Sequence, residues 1–372
     1  MIEKKMLIGI EAERANNPQK TGVEHYAKQL ILHLVEIDKE NKYTLYLRTP
    51  PEAWFLNLPP NFKVKVMPFP VFWTQTRISI EMLLHPVDVL MIPASALPII
   101  HPKRSIVTIH DIGWRYFPDS FTWFMRNFLE WSAGFAARHA SKIIAVSEST
   151  KRDIIRFYKV DADKIQVVHH GYDEEISNDK FQISNQIQNP NIKLPERYVL
   201  FLSTLQPRKN LEGLIEAFRL LKSENPDLEH KLVVVGKPGW KYDSIIQRIE
   251  ANKDIVIYLN HVSDEERLTI LSKADLLVLP SFYEGFGMQI LEAFSAGVPV
   301  ATSKVSSMPE VAEDAAVYFD PHNVQDIKKA ISSVLFDKSL ADSLRARGKE
   351  RLKQFSWEKC ARETFEILSK NN

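Results

Sequence analysis

Short apolar runs alternate with amphipathic stretches along nearly the whole chain, in two series separated by one polar stretch. The first series has apolar runs at 6–10, 43–47, 64–67, 89–92, 105–109, 142–146 and 165–168. Amphipathic stretches lie between them, among them 23–34, 121–140 and 150–158. The second series has apolar runs at 198–202, 231–235, 255–258, 276–280 and 300–301. Helical periodicity marks 211–221, 244–251, 264–272, 288–296 and 324–336. Runs this short, bounded by turn residues, predict strands buried on both faces. Strands alternating with helices predict an α/β chain with parallel sheets covered by helices. Residues 174–196 are polar and carry Pro190 and Pro195, as a linker does. A length of 372 residues exceeds what one core usually supports. Two Rossmann-like domains are therefore predicted, at 1–178 and 197–355, with a linker at 179–196 and a cleft between them. In such sheets ligands bind beyond the carboxyl ends of the strands.

Composition removes several function classes. A net charge of +1 gives no general attraction to nucleic acid. The single cysteine, Cys360, excludes an internal disulfide framework and fits a reducing compartment. No window is apolar enough to span a membrane, and the first apolar run is too short for a signal peptide. A cytoplasmic chain is expected. Contact with the inner face of the cell membrane stays open through the basic helix 151–158, although a core-facing amphipathic helix is favoured there.

Only 12 glycines occur, and Gly285 and Gly287 fall between the apolar run ending at Pro280 and the helix starting near Met288. Glycine lets backbone approach a ligand closely, and a helix N-terminus attracts phosphate. Gly297 and Pro299 end that helix. Glu292 inside it is, taken alone, more readily a solvated acid than a ligand for hydroxyls. Arg208 and Lys209 follow the first strand of the second series, where fixed cations would stabilise a departing diphosphate. Taken alone they are an exposed basic turn.

The spacing of Glu284 to Glu292, in Pro280-Ser-Phe-Tyr-Glu-Gly-Phe-Gly-Met-Gln-Ile-Leu-Glu-Ala-Phe-Ser-Ala-Gly-Val-Pro-Val300, resembles the E-x7-E motif of retaining glycosyltransferase family 4 with the GT-B fold. Pro207-Arg208-Lys209-Asn210 resembles a second signature of that family, and the likeness covers nearly the whole chain. Ser203-Thr204 stand where many members carry a Gly-Arg pair. The resemblance implies that Glu292 holds the donor ribose and Glu284 the sugar. It implies that the backbone of Gly285, Phe286, Gly287, Met288, Gln289, Ile290 and Leu291 meets sugar and diphosphate. Gly236 would line the base pocket. Val262, beside His261, would lie in the loop whose backbone reads the base, although His261 itself reads slightly better as a surface residue.

In the first domain the resemblance implies that His110, in Thr108-Ile-His-Asp111, bonds the donor sugar. Lys20-Thr21-Gly22-Val23 resembles the family's glycine loop, with Val23 where a second glycine is usual. Gly22 would approach diphosphate or acceptor, and Arg14 is equally a solvated arginine. The segment 356–372 resembles the family's last helix, which returns to the first domain. Asp161-Ala-Asp163 has the form of a metal-binding D-x-D but reads as a turn between helix and strand. No metal and no cofactor are expected.

The implied reaction is retaining transfer of a mannose- or glucose-type hexose from a GDP- or UDP-linked donor to a glycan or lipid-linked acceptor. His110, Glu284, Arg208 and Lys209 would carry it. Alternatives are a nucleotide-sugar epimerase of the same fold or a silent nucleotide-sugar-binding subunit. Turnover against His110→Ala separates these. Donor base, acceptor and oligomeric state are not legible in the sequence.

Overall fold

The computed structural model of the chain describes residues 5–17, 22–173, 192–260 and 262–370. Residues 179–191 of the expected linker, Lys20, Thr21 and His261 lie outside the described residues. Two compact units emerge. Unit 1 comprises Met1–Arg115, Trp123–Gly171 and Ser356–Asn372, and unit 2 comprises Tyr116–Thr122 and Tyr172–Phe355. The first half of the chain is thus not one continuous block, because Tyr116 and Phe117 stack on Tyr283 and Phe282 at 4.8 and 6.1 Å.

Unit 1 runs β1 (Leu7–Glu11), α1 (Gly22–Ile37), β2 (Lys42–Leu47), β3 (Phe62–Val66), α2 (Ser79–Leu84), β4 (Val89–Ile92) and β5 (Ser105–Ile109). It continues through α3 (Gly113–Tyr116), α4 (Trp123–His139), β6 (Lys142–Ala145), α5 (Glu148–Tyr158) and β7 (Ile165–Val167). The seven strands order as β3-β2-β1-β4-β5-β6-β7. Their pairings are parallel, as Ile8 opposite Tyr43 and Ile8 opposite Val89 show. β4 and β5 are buried at every position, as expected for strands covered on both faces. The Ser147 side chain caps α5 by accepting from the Thr150 amide at 3.0 Å. Ile154 and Tyr158 of α5 are buried while Arg152 and Arg156 are exposed, so its apolar face belongs to the core. Asp161 and Asp163 flank Ala162 in a short turn before β7.

Unit 2 runs β8 (Tyr198–Leu202), α6 (Leu211–Glu224), β9 (Lys231–Val235), α7 (Asp243–Glu250), β10 (Val256–Leu259), α8 (Asp264–Ser272) and β11 (Leu276–Leu279). Then come α9 (Met288–Ser295), β12 (Val300–Ser303), α10 (Met308–Ala312), β13 (Ala316–Phe319), α11 (Val324–Phe336) and α12 (Lys338–Leu352). Its strands order as β10-β9-β8-β11-β12-β13. Strand order reverses direction between β8 and β11, so the loops after those two strands flank the crevice where such sheets bind ligands. Val199, Phe201, Val234, Val278 and Ala301 from the sheet pack with Leu214, Phe218, Ile327 and Ile331 from α6 and α11.

The last helix, α13 (Trp357–Ser369), belongs to unit 1 and packs on α1. Trp357 is buried beside Tyr26 and His170. Arg104 donates to the carbonyls of Leu368 and Lys370 at 2.7 and 3.0 Å, satisfying acceptors the helix end leaves open. The chain passes so close at the start of α13 that a Cβ on Gly171 would lie 2.1 Å from the Trp357 amide nitrogen. Gly171→Ala should therefore unseat Trp357. We expect a red-shifted tryptophan emission and a loss of about 3 kcal/mol in urea unfolding. An unchanged midpoint would show that α13 does not depend on this contact.

Candidate active site

The loop after β8 turns through Pro207–Lys209 and ends at Asn210, which takes a left-handed conformation with φ of 55°. Asparagine tolerates that geometry better than most side chains. Its amide donates to the Pro321 carbonyl at 2.8 Å, which fixes the loop. The loop after β11 carries Ser281, Tyr283 and Glu284. The two loops meet backbone to backbone, the Phe282 amide donating to the Arg208 carbonyl at 2.9 Å.

Side chains complete the junction. The Lys209 ammonium donates to Glu284 Oε1 at 2.5 Å, and both residues are about 95% buried. The Ser281 hydroxyl donates to the same oxygen at 2.6 Å. Arg208 Nη1 lies 3.6 Å from Glu284 Oε2 and donates to the Tyr283 carbonyl at 3.1 Å. Burial alone would raise the Glu284 carboxyl, but Lys209, Arg208 and the Ser281 bond together hold it below the ordinary 4.5. Two cations against one carboxylate leave the cluster net positive, as suits a diphosphate. Lys209 is thus spent on Glu284 rather than presented on the surface, while Arg208 is the more open of the two.

A third loop, after β12, closes on the second. Ser306 accepts from the Glu284 amide at 2.9 Å, and Ser307 donates to the carbonyls of Glu284 and Phe286 at 2.9 and 3.0 Å. Gly287 then takes φ of 91°, a value that favours glycine, and α9 begins. Phe286, Ile290 and Leu291 bury their side chains, so only their backbones remain for a ligand. The Ile290 amide is already bonded to the Gly287 carbonyl. By helix geometry, the first-turn amides of Met288 and Gln289 have no partner within α9.

Glu292 sits one turn further along α9, its carboxylate 2.8 Å from Arg267 of α8. Arg267 was not singled out by sequence reasoning, and no local pattern ties it to Glu292. The serines at 281, 306 and 307 were also missed. Their one available signal is position, since each follows the carboxyl end of a strand. Gly236, after β9, has both backbone groups engaged: its amide donates to Leu259 at 3.2 Å and its carbonyl accepts from Tyr258 at 3.1 Å. Val262 precedes Ser263, which caps α8 in a reciprocal box with Glu266.

In unit 1, His110 follows the carboxyl end of β5. Its Nε2 lies 3.0 Å from the Pro93 carbonyl, and a carbonyl only accepts, so Nε2 carries the hydrogen. Nδ1 is then a bare acceptor, and it is buried with no partner among the described residues. Burial lowers the affinity of the ring for a second proton. His110 is thereby a neutral acceptor suited to a hydroxyl. Tyr26 packs edge-on against it at 4.9 Å and bonds Thr108 at 3.0 Å. Asp111 turns the backbone by accepting from the Gly113 amide at 2.9 Å. Gly22 opens α1, and Glu24, two residues on in the first turn, is paired with Arg14 at 3.1 Å. Glu11, at the carboxyl end of β1, was also missed by sequence reasoning. Burial pushes it up to about 7 against the opposing pull of Arg14.

Two family models match this chain: "Glycosyltransferase Family 4" over residues 20–176 and "Glycosyl transferases group 1" over 182–351. The O-antigen chain mannosyltransferase B of Escherichia coli is 34% identical over 266 residues, 71% of this chain and 69% of the relative. A serotype-specific mannosyltransferase WbdA of Escherichia coli is 28% identical over 268 residues, and this chain spans only 32% of its length. The Anabaena HepE crystal structure with UDP-glucose superposes with a TM-score of 0.74 at 18% identity, covering 98% of this chain and 99% of that one. The chain belongs to this glycosyltransferase family and carries its GT-B fold of two Rossmann-like domains. It is an enzyme of the hexosyltransferase class.

Arg267 pairs with the Glu292 carboxylate at 2.8 Å. If Glu292 holds the donor ribose, as the motif implies, Arg267→Met should raise KM for the nucleotide sugar about tenfold while leaving kcat within about threefold. Equal loss in kcat and kcat/KM would assign Arg267 to the chemical step instead.

Proposed function

We propose that the chain is a retaining hexosyltransferase. It moves a mannose- or glucose-type sugar from a GDP- or UDP-linked donor to a hydroxyl of a glycan or lipid-linked glycan, without a metal. The observation that carries this reading is the buried cluster of Arg208, Lys209 and Glu284 beside the tip of α9. The relatives' names as O-antigen mannosyltransferases and the UDP-glucose in HepE support sugar transfer from a nucleotide donor. They leave the choice of base open.

In this reading the diphosphate rests on the α9 tip amides and Arg208. Together they supply the positive field that a metal supplies elsewhere. Glu292 accepts from the ribose hydroxyls. Glu284, held ionised by Lys209 and Ser281, accepts from hydroxyls of the sugar. A carboxylate so stabilised is a weak nucleophile, and departure with front-face attack follows, the diphosphate oxygen taking the acceptor proton. His110 Nδ1 accepts from a sugar hydroxyl near the reacting carbon. No described helix is long and apolar enough to cross a membrane. With a lipid-linked acceptor the chain would work as a peripheral protein at the inner face of the cell membrane.

Turnover of GDP-mannose and UDP-glucose with glycan acceptors tests the proposal, with product configuration read by NMR. Wild type should give retained configuration with one donor. His110→Ala should lower kcat about 100-fold through loss of one hydrogen bond made near the transition state. An inverted anomer would overturn the front-face mechanism. Equal activity of His110→Ala and wild type would remove His110 from the site.

A further inference from the structure

Among the described residues, most exposed large apolar side chains lie on unit 1, three of them on α4. A surface helix normally turns its large apolar residues inward. α4 does the reverse. Its buried residues are Ser132, Ala133, Gly134, Ala136 and Ala137, all small. Its aromatics face outward, with Trp123 75%, Phe124 59% and Trp131 44% exposed. Phe124, Phe128, Trp131 and Phe135 form one ladder along the helix, with successive ring centroids 5.8–6.4 Å apart.

The ladder extends onto neighbouring segments. Phe72, half exposed, meets Phe128 at 5.6 Å, and His101 meets Phe135 at 6.4 Å. The Ile100 amide donates to Ser79 at 3.1 Å, which joins exposed Ile99 and Ile100 to α2, where Leu83 and Leu84 are also exposed. Residues 71–84, 99–104 and 123–139 thus build a single apolar face. Charge is one-sided on the same segments. They carry Arg77, Lys103, Arg104, Arg126 and Arg138 against only Glu81 and Glu130. Both carboxylates are consumed by ion pairs, Glu81 with Lys65 and Arg77, Glu130 with Arg115. Arg77 is spent in the same pair and Arg104 on the end of α13, so Lys103, Arg126 and Arg138 carry the positive charge of the face.

We propose that this face of unit 1 docks on an anionic lipid bilayer. Trp123, Phe124 and Trp131 enter the headgroup–acyl boundary, and Lys103, Arg126 and Arg138 around them meet lipid phosphates. Aromatic residues with one wet and one apolar environment are favoured at that boundary, and basic side chains near an anionic surface add to the attraction. A second copy docking face to face about a two-fold axis would bring the same basic face, so like charges would oppose each other. The proposal names the surface for the membrane contact put forward with the function. It is read without turnover, so its failure and the failure of the transfer reaction are separate results.

Flotation of the whole protein with phosphatidylcholine vesicles, alone or with about 30% phosphatidylglycerol, tests it. Wild type should float with the anionic vesicles, and less so as salt rises. The triple variant Trp123→Ser, Phe124→Ser, Trp131→Ser should lose roughly 100-fold in partition coefficient. Its circular dichroism and Tm should be kept, since those side chains are exposed. Phe336→Ser on unit 2 should float as wild type does. Undiminished flotation of the triple variant would overturn the proposal. So would a wild type that ignores anionic vesicles and forms a dimer which the triple substitution dissolves.

Discussion

Lys209 and Glu284 stand 75 residues apart in sequence and meet at 2.5 Å in the interior of unit 2. An isolated charge could not be placed there. Removing either ion from water costs several kcal/mol, so each is tolerable only because the other is present. The pair therefore binds the loop after β8 to the loop after β11 at the point where the strand order reverses. Such a pair need not add net stability over an apolar substitute. Its consequence is positional: Arg208 is drawn to the outer oxygen of Glu284, Ser281 satisfies the inner one, and Ser306 and Ser307 pin the following backbone. Gly287 and the tip of α9 inherit their placement from this knot.

Unit 1 uses a different device at the ends of its strands. Among the described residues His110 Nδ1 has no partner, and burial pushes Glu11 up to about 7. Polar groups kept short of partners in a buried setting are costly, and they persist where a ligand supplies what the fold withholds. Under the proposed transfer, the contrast would set a charged nucleotide on unit 2 and sugar hydroxyls on unit 1.

Much of the architecture was legible because parallel strands buried on both faces leave unambiguous apolar runs. The predicted strands at 89–92, 105–109, 198–202 and 231–235 have the bounds the structure gives them. β13, α10 and α12 were not anticipated. Ala316–Phe319 is a half-buried edge strand, too short to show alternation. Lys338–Leu352 is dominated by charge, and it docks through Ala341, Leu344, Gly348 and a buried Arg351 rather than through an apolar stripe. Arg351 donates to the carbonyls of Val311 and Glu310, at the end of α10, a link no local sequence pattern reveals. In the site, the motif residues Glu284, Glu292, Arg208 and Lys209 were visible, but their partners were not. Spacing along one helix or loop is local, whereas Arg267 on α8 meets Glu292 on α9 only in three dimensions.

The central claim is that Lys209 and Glu284 act as one buried unit. A double-mutant cycle of Lys209→Met and Glu284→Gln, read by urea unfolding, tests it most directly. Each single change strands a buried polar group and should cost about 3 kcal/mol, whereas the double variant should cost much less than their sum. A coupling of about 2 kcal/mol or more is predicted, and strict additivity of the two changes would contradict the account.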